Sequence, residues 1–392
     1  MNAPYEAKLA AMRRFPEDCP TTALVLERIV EGSALCAGDV SHERLLTWAN
    51  AAGFLPIVYR YLMSTGRDVP ARFRQSWLVH MARLALYRAE LRRVLPTIEA
   101  LSPVILLKGE ALSLLLFGDA RLRNTTDMDL LIDPRQLGPI VEALGEIGYH
   151  TVGDGKTKPW AYNQLLLVHQ DCGTLIELHW RIAFPHLKSP PIDELFEDTI
   201  AVALDGGALT TRSLRPELLL LQLCFHFHQH HGFYKGLLDI AGWVDRFERT
   251  ADLDEIRALA RRYEIDGVLQ WGLHALERFT GERSRLYDPR ANVFSKSWAA
   301  WSAMEMERRY IFMAAPSAID RWWRDPRAAT KIAGVLAEAL SMTVADGALN
   351  RLRAVLSPIL LGPHRLGRMN FALLEGIGAF EREELYEARI LG

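Results

Sequence analysis

Residues 104–132 read VILLKGEALSLLLFGDARLRNTTDMDLLI, and this stretch decides the fold. The apolar run from Val104 to Leu107 predicts a short strand. Gly109 opens a helix that runs through Phe117 and closes near Gly118, RLRNTTD is polar, and MDLLID continues as a second strand. Alternate residues of a strand face the same way, so Asp127 and Asp129 stand side by side while Met128 and Leu130 point into the core. Two carboxylates fixed on one strand are half of a divalent-metal site. Pro134 then starts a helix through Gly145, with Leu137, Ile140, Val141 and Leu144 recurring at helical spacing. The order strand, helix, strand, helix argues for a small mixed α/β unit.

Downstream, GDGKTKPW at 153–160 reads as a loop. Its Lys156 and Lys158 either attract phosphate or simply solvate the loop, and Tyr162 suits base stacking or the core. Tyr162 to His169 is a strand, Asp171 to Gly173 a hairpin turn, and Thr174 to Trp180 the returning strand. Alternation there puts Glu177 and His179 on one face, opposite Ile176 and Leu178. A third carboxylate thus follows the first two on a neighbouring strand. Residues 181–212 read as irregular around Pro185, Pro190 and Pro191, with a short helix near 192–198.

After Arg215-Pro216 the pattern is helical at 216–231, 235–249, 252–263 and 265–279, then at 294–313 and 327–341, with a charged terminal helix at 373–389. Upstream, helices are predicted at 21–31, 41–50 (capped by Ser41), 53–64 and 71–98, and Pro96 is expected to bend or end the last of these. The fold class is therefore α+β. A helical N-terminal region (1–100) precedes an α/β core (101–212) and a larger C-terminal helical domain (213–392).

Lysine plus arginine (46) nearly balances aspartate plus glutamate (48), so the chain lacks the basic footprint of a bulk nucleic-acid binder. Cys19, Cys36, Cys172 and Cys224 are scattered, with neither a zinc spacing nor a dense disulfide pattern, and buried free thiols are the simpler account. The first twenty residues carry no signal-peptide pattern, and no charge-free apolar run reaches membrane-spanning length. A cytoplasmic protein without a membrane span is expected. Trp298, Trp301, Trp322 and Trp323 crowd one C-terminal region that a partner or ligand would cover.

Asp127, Asp129 and Glu177 carry the main chemical expectation. Two Mg2+ ions about 4 Å apart need hard anionic oxygens converging from rigid elements, and adjacent strands supply them. The bland alternative is solvated aspartates at a strand end. Lys108 and Gly109 add a second component: a glycine after a strand permits a tight turn whose following amides face phosphate, although the full P-loop pattern is missing. Arg121 and Arg123 either reach the triphosphate of an NTP or pair with surface acids. His226 and His230 are four apart and share a helix face from which His228 is turned away. They are structural, contact substrate, or bind metal; no HExxH glutamate accompanies them. His179 either orients a carboxylate or the acceptor, or packs beside Trp180.

The segments LLKGEAL, LRNTTDMDLLI and LIELHW together resemble the uncharacterised nucleotidyltransferase family of the polymerase-beta-type superfamily, some members of which accompany peptide natural-product and polysaccharide biosynthesis genes. The resemblance covers residues 101–245, and the later helices more loosely. It implies a mixed-sheet nucleotidyltransferase core that moves NMP from an NTP to a hydroxyl or phosphate acceptor, with Mg2+ as cofactor. It maps the paired metal ligands onto Asp127 and Asp129 and the third, often aspartate, onto Glu177. Lys108-Gly109 stands where Gly-Ser is the superfamily's norm. A family segment of the form LCxHxxxH matches Leu223, Cys224, His226 and His230, followed by Lys235 and Asp239, so that His226, His230 and Lys235 join the nucleotide or acceptor site. The implied partners are the NTP, a small-molecule or peptide acceptor rather than nucleic acid, and a protein of a biosynthetic assembly. A metal-dependent phosphotransferase or hydrolase, and a non-catalytic nucleotide-binding scaffold, are the competing functions.

Overall fold

The computed structural model describes residues 15, 17–35, 45–47, 49–50, 52–67, 69–152, 164–183, 188–229 and 233–290. All lie in the first of two units, Met1–Met313; the second, Ala314–Gly392, is outside the described residues. So are Ser41, the 153–160 loop, Tyr162, His230 and the helices expected at 294–313, 327–341 and 373–389.

The N-terminal region is helical: α1 is Pro20–Leu35, α2 Leu55–Ser64 and α3 Ala71–Glu99, and residues 45–47 and 49–50 are helical as well. The buried stripe of α3 is Phe73, His80, Leu84, Tyr87, Leu91, Val94, Leu95 and Ile98, three and four residues apart as a packed helix requires. Pro96 is expected to bend or end this helix; the helix continues three residues past it, to Glu99, and the Pro96 carbonyl accepts the Ala100 amide at 3.1 Å.

The core follows in the order read from the sequence. Strand β1 (Val104–Leu106) leads through helix α4 (Gly109–Phe117) to β2 (Asp127–Ile132). After a 3-10 turn at Pro134–Gln136 come α5 (Leu137–Glu146), β3 (Tyr149–Thr151), β4 (Gln164–His169) and β5 (Leu175–His179). These strands form one mixed sheet in the order β1-β2-β5-β4-β3, in which only β2 and β5 run parallel. That parallel pair sets the register that matters: Asp129 lies opposite Glu177. Met128, Leu130, Ile176 and Leu178 are fully buried on the opposite face.

Residues 181–212 are more regular than expected. Beyond α6 (Ile192–Glu197), strands β6 (Thr199–Leu204) and β7 (Leu209–Leu214) form an antiparallel hairpin that packs on β1 and α4. Its turn, Asp205–Gly207, has three successive positive φ angles of 52°, 67° and 94°, and two glycines make that affordable. The edge strand β3 was likewise not anticipated. It is three residues long and follows Gly148 (φ 96°) directly.

Helices α7 (Pro216–Gln229), α8 (Tyr234–Phe247), α9 (Leu253–Arg262) and α10 (Asp266–Thr280) complete the described body. The fold is a small mixed α/β core with helices before it and a larger helical region after it. Helix α8 joins these parts, packing on α1, α7, α10 and α4. Its Asp245 carboxylate accepts the Thr21 and Thr22 amides and the Thr22 hydroxyl, all at 2.8 Å, and so caps α1 from across the chain. Among the described residues no helix is long and apolar enough to cross a membrane. Cys19, Cys172 and Cys224 are free thiols, the first and last buried.

Helix α8 approaches α4 closely because Gly242 has no side chain. A Cβ there would lie 2.7 Å from Phe117 Cε1 and 3.0 Å from Leu116 Cβ, both in a packed core. Gly242→Ala should therefore lower unfolding stability by about 1–2 kcal/mol, the overpacking cost exceeding the helix-propensity gain of about 1 kcal/mol. Urea denaturation followed by tryptophan fluorescence measures it.

Candidate metal and nucleotide site

Strand β1 ends at Leu106, and the chain turns through Lys108 in extended conformation into Gly109 at φ 70°. An L-residue rarely adopts that angle, and here space forbids one as well. A Cβ on Gly109 would meet the Tyr87 hydroxyl at 2.7 Å and Thr125 Cγ2 at 3.3 Å. Helix α4 starts at this turn, so its first-turn amides have no intrahelical acceptor.

Lys108 points from the turn onto β2, its Nζ donating to Asp129 Oδ1 at 2.6 Å. His179 Nε2, from the end of β5, reaches the same oxygen at 3.1 Å and Glu177 Oε2 at 3.3 Å. One lysine, one imidazole and two carboxylates therefore converge. Donor atoms of Asp129, Glu177 and His179 all lie within 4.8 Å of one another. Asp129 is 1% exposed, and its Oδ2 is buried with no hydrogen-bond partner. An unmet buried carboxylate oxygen beside further carboxylates suits a hard divalent cation. Asp127 is half-buried two residues before Asp129 and takes a hydrogen bond from Thr126 Oγ1 at 3.2 Å.

Burial and mutual repulsion set the ionisation of this cluster. Burial, then the charges of Asp129 and Glu177, push Asp127 up to about 6, with Lys108 and Lys235 offsetting only part. Burial also acts against the Asp129 charge, but Lys108 and His179 outweigh it and hold that carboxyl well below its usual range. For His179, burial opposes the cation, and the hydrogen bonds to Asp129 and Glu177 raise it to about 9. The Lys108 ammonium, disfavoured by burial, is kept charged by Asp129, Asp127 and Glu177.

The other described candidates divide between the surface, the α8 interface and the region of the cluster. Arg121 pairs with Asp119 at the surface (2.6 Å), and its carbonyl accepts the His80 ring N–H at 2.8 Å. Arg123 is 4% exposed and binds Asp239 of α8 through Nε and Nη2, both at 3.0 Å. Its guanidinium forms a buried pair and also feels the charges of Asp129 and Asp127. Lys235, also on α8, donates to the Asn124 carbonyl at 3.1 Å; burial, then Arg123, lower it to about 7. It is electrostatically coupled to Asp127, so it belongs with the cluster. His226 is half-buried against Phe233 (ring centroids 5.1 Å), whereas His228 turns into the core against Trp271.

A second group with metal-capable donors, Glu90, His169 and Cys172, has its atoms engaged in protein contacts. Glu90 accepts from Arg93 and from the Tyr149 hydroxyl. His169 accepts the Asp171 amide on Nδ1, and its Nε2 faces the Ile147 carbonyl at 3.1 Å. A guanidinium supplies the positive charge there, and the group ties α3 to the β3–β4 edge.

The sequence profile of the uncharacterised nucleotidyltransferase family, within the polymerase-beta superfamily, matches residues 38–281. The chain belongs to that family. The match ends at Gly281, which caps α10 in left-handed conformation, and it includes every candidate site residue. No curated protein and no solved structure matches the chain. For this nucleotidyltransferase family member, sequence reasoning overlooked Tyr87 and Glu110. Tyr87 Oη is buried and unpartnered between the Gly109 turn and the charge cluster. Its position on the α3 stripe with Leu84 and Leu91 marked it only as core. Glu110 is fully buried and held by Arg88 Nε at 2.6 Å.

Two expectations follow from these charges. The His179 pKa is raised from 6.5 to about 9, so its stabilising contribution is complete below pH 6.5 and is lost as pH rises through about 9. Chelator-treated protein should show a Tm that falls across this window, and His179→Gln should flatten that limb. Separately, Asp239→Leu should cost about 3–5 kcal/mol by stranding the Arg123 charge, whereas Arg123→Met with Asp239→Leu should recover most of it. Urea midpoints of the three proteins test the pair.

Proposed function

We propose that the protein is a divalent-cation-dependent nucleotidyltransferase that moves a nucleoside monophosphate from an NTP to a hydroxyl or phosphate acceptor and releases pyrophosphate. The observation that carries this reading is Asp129 opposite Glu177 on parallel strands, with a buried unpartnered oxygen, beside the Lys108-Gly109 turn. Family membership supports the same chemistry.

In this reading Asp127, Asp129 and Glu177 hold Mg2+, which when bound neutralises the phosphates and lowers the pKa of the attacking hydroxyl. The chain's own residues do the rest. The absent side chain at Gly109 lets phosphate oxygens approach the first-turn amides of α4. Lys108 neutralises Asp129 before nucleotide arrives, and its ammonium would turn to the phosphates where a cation takes over Asp129. Lys235, held on the Asn124 carbonyl from α8, offsets part of the negative charge at Asp127. Arg123 holds the approach to β2 through its buried pair with Asp239, and its charge acts on Asp127 and Asp129. The acceptor is a small molecule or peptide, in keeping with a formal net charge of −2.

Asp129→Asn and Glu177→Gln should each lower pyrophosphate release from NTP by about 10²–10³-fold, the scale of losing one preorganised electrostatic contact in an active site. The assay is Mg2+-dependent turnover in fractions that supply acceptor. Release of single phosphate instead would assign a phosphotransferase or hydrolase, and NTP binding without turnover in any fraction would favour a scaffold.

A further inference from the structure

We infer that His179 is a direct ligand of the catalytic cation and that its imidazole biases the site towards Mn2+ over Mg2+. The inference rests on the metal-dependent reading above and assigns a ligand that the three-carboxylate pattern does not contain.

Two of the three donor separations match a coordination shell, and the third, between Asp129 and Glu177, is within 4.8 Å. His179 Nε2 stands 3.1 Å from Asp129 Oδ1 and 3.3 Å from Glu177 Oε2. Ligands at right angles around a cation with bonds of about 2.1–2.3 Å are separated by about 3.0–3.3 Å. A cation among the three atoms faces all of them together.

The independent observation is on Asp129. That side chain is 99% shielded from solvent by its 1% exposure, and its Oδ2 has no partner although Oδ1 receives both Lys108 and His179. The carboxylate has been brought out of water with half its acceptor capacity unused. His179 itself is placed by backbone, being the last residue of β5, paired with Gln164 and Leu131 on either side and two residues beyond Glu177 on the same face.

Ligand chemistry then fixes the preference. Mg2+ favours oxygen donors and retains water, whereas an imidazole beside two carboxylates suits a first-row ion that accepts nitrogen as well as oxygen. Among such ions Mn2+ is the one that also suits carboxylate and water ligands at a phosphate-transfer site.

The test uses full-length protein stripped with chelator and reloaded with Mn2+. Pulsed electron paramagnetic resonance of the bound ion should show nitrogen modulation from a directly coordinated imidazole, shifted when histidine carries the heavy nitrogen isotope. In His179→Gln the modulation should vanish and the Mn2+ Kd should rise about tenfold or more, with a much smaller change for Mg2+ by calorimetry. Modulation absent from wild-type protein that binds Mn2+ overturns the inference, as does an unchanged Mn2+ to Mg2+ affinity ratio in the variant. The wild-type spectrum decides even if the variant fails to fold. Pyrophosphate release measured on the same samples separates the two readings: release without nitrogen modulation removes the His179 ligand and leaves the transferase. Absence of any Mn2+ or Mg2+ binding removes both.

Discussion

A carboxylate cannot be buried at 1% exposure without a counter-charge, and Asp129 is the residue around which this protein solves that problem. Lys108 is the immediate answer, at 2.6 Å, and His179 the second, at 3.1 Å. Because Lys108 rides on the turn after β1 and His179 on the end of β5, the interaction fixes more than two side chains. It ties the turn after β1 to the middle of β2 and the end of β5, and so holds the strand order on which the site depends. The parallel β2–β5 pair is what makes this possible. Asp129 and Glu177 are register partners in that pair, so their side chains leave the same face of the sheet.

Around this cluster each flanking region makes one contact that could not be supplied by the sheet. From α3, Tyr87 closes under the Gly109 turn so tightly that a methyl group would not fit. From α8, Asp239 receives Arg123, and the loop carrying Asn124 and Thr125 into β2 is pinned by that buried pair and by Lys235 on the Asn124 carbonyl. The mixed core is small, with β1 and β3 only three residues long, so it draws much of its rigidity from these helices. That is a physical reason for the family match to span residues 38–281 as a unit instead of stopping at the sheet.

The parts of the site legible in the sequence were those governed by local periodicity. A period of two put Asp127 with Asp129 and Glu177 with His179, and a glycine after a strand identified the turn. Partners distant in the chain left no such trace. An acid partner was one of the two readings of Arg123, but nothing local points to Asp239, 116 residues away, and spacing alone gives Tyr87 nothing to set it apart from the apolar stripe around it. The β6–β7 hairpin was obscured by the prolines before it. Yet its strands alternate and Asp205-Gly206-Gly207 supplies the positive φ angles of a tight turn, so the pattern was present and outweighed by its flank.

What the cluster costs the folded chain is itself informative. Asp127 is raised to about 6 by burial and by its neighbours' charges, and one oxygen of Asp129 has no partner at all. A core assembled for stability alone would replace such groups with apolar side chains of similar volume, which is often neutral or better. The second polar group, at Glu90, His169 and Cys172, shows how this same chain treats ionisable residues that serve structure: the carboxylate and both imidazole nitrogens have a protein atom to meet. An unmet buried oxygen alone does not distinguish a site from a tie, since Glu110 Oε2, in its pair with Arg88, is unmet as well; at Asp129 the unmet oxygen coincides with a second carboxylate and an imidazole whose donor atoms crowd within 4.8 Å.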